Sequence, residues 1–140
     1  MKKLLTIALL ALIAFSCDKD QKVVKQLDGT WKATSYVVTS DGVSEDYTTS
    51  GLVFTMEFND CKLKKDEFCN LRITQQYGSD VDIQDLEYRV EGNGSSLELR
   101  EVQYPAEASY IKILEHEKDK LELEFMYAPT YYTRISLTKE

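Results

Sequence analysis

Leu27-Asp28-Gly29-Thr30-Trp31-Lys32-Ala33-Thr34-Ser35-Tyr36-Val37-Val38 is the stretch from which the rest of the chain can be read. The only tryptophan stands two residues after a glycine, where a polar lead-in becomes a long run of period two. Trp31, Ala33, Ser35 and Val37 share one face of that run; Lys32, Thr34 and Tyr36 share the other. Gly29 supplies the backbone freedom for a sharp turn into the strand. A sheet begins here.

Alternation of the same kind recurs downstream. Leu52, Phe54, Met56 and Phe58 predict a second strand, and Cys69, Leu71, Ile73, Gln75 and Tyr77 the inner face of a third. Leu86, Tyr88 and Val90 mark a fourth, which ends at Asn93-Gly94, the strongest short hairpin signal present. Leu97 and Leu99 mark a fifth, Ile111 and Ile113 a sixth, and Leu121, Leu123, Phe125 and Tyr127 the seventh and cleanest. Pro129 leads into an eighth, residues 131–138. Residues 43–51 read as a polar loop. Eight runs joined in simple succession predict an all-β chain, an eight-stranded antiparallel up-and-down meander barrel, with a two-layer β-sandwich as the alternative. A barrel of eight strands has an interior just wide enough for side chains or one small ligand.

Residues 1–16 stand outside that fold. Lys2 and Lys3 precede an apolar run, Leu4 to Phe15, broken only by Thr6, which is the order of a secretory signal and too short to span a bilayer comfortably. Ala14-Phe15-Ser16-Cys17 resembles the lipobox of bacterial lipoproteins. The resemblance implies cleavage before Cys17 and acyl chains such as palmitate on its sulfur and amine. Residues 17–26 then form a polar, lipidated tether, in which Val23, Val24 and Leu27 have the spacing of one short helical face. Residues 27–140 form the barrel domain. Without Lys2 and Lys3, 15 basic residues face 24 acidic ones, a net charge of −9. That balance disfavours nucleic acid and polybasic attachment to anionic lipid, so membrane contact would come from the lipid on Cys17.

Gly29-Thr30-Trp31 at the head of the first strand, followed by eight sequential strands, resembles the lipocalin group. Size and leader look most like the short lipocalin-like lipoproteins of Gram-negative bacteria. The resemblance implies a cell-envelope protein of the outer membrane, periplasmic or surface-exposed. It also implies that Trp31 closes one barrel end beneath an arginine of the last strand. Arg134 is the only arginine there. Alternation sets it opposite Ile135 and Leu137, so it would reach Trp31 at the rim or through a bulge. Glu140 follows the last strand at once, leaving no room for the helix that flanks larger lipocalins.

Catalytic patterns are sparse. His116, the single histidine, sits in a charged turn without imidazole or thiolate company, so neither metal nor cofactor is expected. There is no nucleophile elbow and no phosphate-cradling glycine loop. Glu115, Glu117, Asp119, Glu122 and Glu124 read as a turn and the outer face of a strand. Cys61 and Cys69 flank a hairpin turn in an exported chain and predict a structural disulfide.

The aromatic residues are the remaining functional feature. Tyr77, Tyr88, Phe125, Tyr127, Tyr131 and Tyr132 are the ligand-binding candidates, with Tyr127, Tyr131 and Tyr132 grouped near one mouth. They would either line a pocket or fill the barrel solid. Two non-enzymatic functions follow: a binding module for a small apolar or amphipathic ligand, or a filled barrel serving as a tethered interaction module for a protein or glycan whose identity the sequence does not give. The pocket is expected to carry almost no charge.

Overall fold

The computed structural model describes residues 19–62 and 67–140. The leader and Cys17 lie outside the described residues. Among the described residues, nine strands follow one helix: α1 (Lys19–Leu27), β1 (Gly29–Ser40), β2 (Val43–Asp46), β3 (Leu52–Phe58), β4 (Cys69–Tyr77), β5 (Asp80–Glu91), β6 (Ser96–Glu101), β7 (Ala108–His116), β8 (Lys120–Ala128) and β9 (Tyr131–Lys139). All pairings are antiparallel, and β3 to β9 pair with their sequence neighbours. β1 pairs with β9 from Trp31↔Lys139 to Ser40↔Tyr131, which closes eight strands into a barrel and excludes the open sandwich. On its other side β1 meets β3 over Gly29–Lys32 and β2 over Val37–Ser40. The polar stretch read as a loop therefore contains β2. Its side chains are mostly exposed, so no apolar alternation announced it.

Helix α1 is longer than the single turn its three apolar residues suggested. Val23, Val24 and Leu27 are all buried, and they pack into one end of the barrel as a plug. The hairpin between β5 and β6 is shaped to receive it. Gly94 lies at φ +84°, its backbone N–H donates to Asp20 Oδ1 at 2.7 Å, and a Cβ there would stand 2.7 Å from Val23 Cγ2. Only glycine allows that approach. The far end of α1 leaves carbonyls without helical partners. Trp31 Nε1 donates to Leu27 O at 2.6 Å, and Lys139 Nζ donates to Gln26 O at 3.2 Å.

Trp31 is fully buried and does close this end, but the cation over its ring is Lys139, with Nζ 5.4 Å from the centroid. Arg134 is not that partner. It projects from the outer face and pairs with Glu124 at 2.7 Å, as alternation through Ile135 and Leu137 requires. The bulge that would have brought it inward is absent from that part of β9; the one between Met126 and Ala128 lies on β8, at the other end.

The plugged half is filled by Met56, Phe58, Leu71, Tyr88, Leu97 and Ile111, among other core residues. Phe58 and Tyr88 meet edge to face at 5.1 Å. Cys61 and Cys69 form a disulfide with Cα atoms 5.4 Å apart. Gln21 of α1 donates to Cys61 O at 2.8 Å, so bridge and plug are tied together.

Candidate functional site

The opposite end of the barrel is hollow. A cavity of ≈ 420 Å³ opens there, lined by the rings of Tyr36, Phe54, Phe125 and Tyr127 and by the amides of Gln75, the cross-strand partner of Phe54, and Gln84. A second hollow of ≈ 450 Å³ shares Tyr36 and Gln75 and runs up the rim between Leu52, Tyr77 and Val81. The polar part of this lining comes from strands that outrun the core. The β4–β5 hairpin continues past the core, and its inner positions pair Gln75 with Asp82 and Tyr77 with Asp80. Residues that face a hollow instead of packed neighbours can remain polar without a burial cost. This is also why β5 begins six residues before Leu86, where apolar alternation first becomes visible.

Tyr36 is the side chain that strict alternation misplaces. A bulge between Ala33 and Ser35 inserts one residue into β1, so the parity set by Trp31 reverses beyond it. Tyr36 turns inward, 5.2 Å from the ring of Phe54 and 6.4 Å from that of Tyr47. Burial raises the pKa of its hydroxyl, with Tyr127, Tyr131 and Tyr47 adding to the effect, so a neutral phenol faces the cavity. Asp46 fixes this part of the chain. Its Oδ1 accepts from the backbone N–H of Tyr36 at 3.1 Å and from Thr48 Oγ1 at 2.7 Å, and Oδ2 accepts from Ser35 Oγ at 2.9 Å. The hydrogen bond from Thr48, supported by those from Tyr36 and Ser35, outweighs desolvation and lowers the Asp46 carboxyl to about 2.

The six aromatic candidates divide between the two ends. Phe125 and Tyr127 line the cavity, and Tyr77, 53% exposed, lines the rim hollow. Tyr131 stacks on Tyr127 at 5.0 Å to form the lip. Tyr88 belongs to the plugged end. It is fully buried and donates from its hydroxyl to Asn59 O at 3.0 Å; burial, then the carboxylates of Asp28 and Asp60, raises its pKa. Tyr132 lines neither hollow, and alternation places it on the outer face with Arg134. Glu101 was missed as well. It stands opposite Leu86 on the inner face, one step beyond Leu99, so the expectation of an uncharged pocket is corrected. His116 is at the other end, beside Gly94.

No family model matches the chain, and none of the curated proteins matches it. Among solved structures it is similar to As-p18, an extracellular fatty acid binding protein. The identity is 9%, the alignment covers 82% of this chain and 96% of that one, and the TM-score is 0.44.

Proposed function

We propose that the chain is a non-catalytic, lipocalin-like binding module for a small amphipathic ligand held in the hollow half of the barrel. The observation that carries this reading is the asymmetry of the interior: one end is sealed by α1, Trp31, Phe58 and Tyr88, and the other keeps ≈ 420 Å³ under a tyrosine lip. That volume lies within the usual range for small-molecule sites, with mostly aromatic and aliphatic lining, two amides to orient a polar group, and Arg100, Glu101 and Glu107 as its charged members. A barrel filled solid, as an interaction module would have, does not fit a cavity of this size.

Tyr127 gives the test. It is 62% exposed and contributes little to the core, so Tyr127→Ala should fold normally. Loss of its contact area should weaken a cavity ligand about tenfold. Calorimetric titration of single-chain amphiphiles, sterols and bile acids into wild type and variant provides the measurement. Absence of any ligand for the wild type, or equal affinity for the variant, would defeat the reading.

The same reading makes Cys17 an acylated residue that holds the protein at the outer membrane, on the grounds of the basic, apolar, Ser16-Cys17 order of the leader. Cys17→Ala should move the protein from the membrane fraction to the soluble fraction and abolish uptake of labelled palmitate. A variant that stays in the membrane fraction would refute the anchor.

A further inference from the structure

Carboxylates dominate the charge around the cavity. Glu101 and Glu107 line the cavity, and Asp80 and Asp82 line the adjoining rim hollow. Among the described residues, no lysine lines either. Arg100 does, but its guanidinium is committed elsewhere: Nε donates to Glu87 at 2.7 Å, and the group lies 3.6 Å over the ring of Phe68. The other three arginines are also held by carboxylates, Arg72 by Asp85, Arg89 by Glu91 and Glu98, and Arg134 by Glu124. Each of the chain's four arginines is thus paired with a carboxylate, so none brings an uncompensated positive charge to the mouth.

This sorting of charge has a consequence for the ligand. A carboxylate head group placed in the mouth would face two to four like charges, against one guanidinium, Arg100, already paired with Glu87. An ammonium would meet those carboxylates and the faces of Tyr36, Phe54, Phe125 and Tyr127, which attract cations through their ring quadrupoles. Carboxylates grouped around a concave mouth also raise the local concentration of cations. We infer that the cavity selects a cationic amphiphile, an apolar body carrying an ammonium group, over a carboxylate of the same size. This rests on the ligand-binding reading above.

Three probes with one alkyl chain separate the two ideas: dodecyltrimethylammonium, dodecanoate and dodecyl maltoside, each titrated below its micelle concentration. The ammonium should bind at one site about tenfold more tightly than dodecanoate at low ionic strength, with the uncharged maltoside between them. The preference should shrink in about 0.3 M salt and nearly vanish in the double variant Glu101→Gln, Glu107→Gln. Tyr127→Ala should weaken all three probes, which separates the cavity from the acidic outer surface. Dodecanoate binding as tightly as the ammonium would overturn the charge selection and leave the binding module standing. An ammonium preference unchanged by the double variant, or untouched by Tyr127→Ala, would likewise overturn it. Failure of all three probes would remove the binding reading itself.

Discussion

Trp31→Ala is expected to lower the stability of the fold by about 3–5 kcal/mol, the usual cost of emptying a buried aromatic site. For a domain of this length that corresponds to a fall of roughly 12–20 °C in melting temperature. The indole is fully buried, its N–H is bonded to Leu27 O, and Lys139 covers its ring. Alanine removes the packing under α1 and leaves a helix-terminal carbonyl without its donor. Trp31→Phe keeps most of the volume and loses only the donor, so it should cost about 1–2 kcal/mol. Urea unfolding of both variants measures the difference. Amide exchange should show protection lost first in residues 19–27. A Trp31→Ala loss below about 1 kcal/mol, or a helix that remains fully protected, would contradict the assignment of Trp31 as the residue that seats the plug.

Removal of the disulfide should cost about 2–3 kcal/mol, the loop-closure value for a sequence separation of 8. Cys69 is buried in the core, so the fitting variant is Cys61→Ser with Cys69→Ala, which adds no hydroxyl to an apolar site. Part of the loss should come through α1, because the Cys61 carbonyl accepts from Gln21. Gln21→Ala should consequently cost less in the bridge-free protein than in the wild type. Denatured, unreduced wild type should take up no thiol reagent at Cys61 or Cys69. Full labelling of both, or unchanged urea midpoints without the bridge, would eliminate this contribution.

Much of the barrel is legible in the chain wherever the interior is packed. Leu121, Leu123 and Ile135 alternate without interruption because each meets core on one face and water on the other. The same rule fails where no core exists. Gln84 and Asp82 line hollows, so the outer half of β5 looks like a loop. A bulge leaves no compositional mark either. Ala33-Thr34-Ser35 is an ordinary strand sequence, yet the residue inserted there decides that Tyr36 belongs to the cavity. The cation over Trp31 is a lysine and not the arginine that the resemblance implies: Lys139 reaches the ring that Arg134 cannot. In each case the unread part is a local geometric choice, and the candidate site collects several of them.

The plug also sets a direction. Lys19, the first residue of α1, follows Cys17 by two positions, a span of at most about 7 Å. Were Cys17 acylated as proposed, the sealed end would sit down on the lipid and the tyrosine lip would face outward, a barrel length away. Cargo would then be handed over on the aqueous side, by diffusion or by a second protein, because the anchoring bilayer would lie under the closed floor.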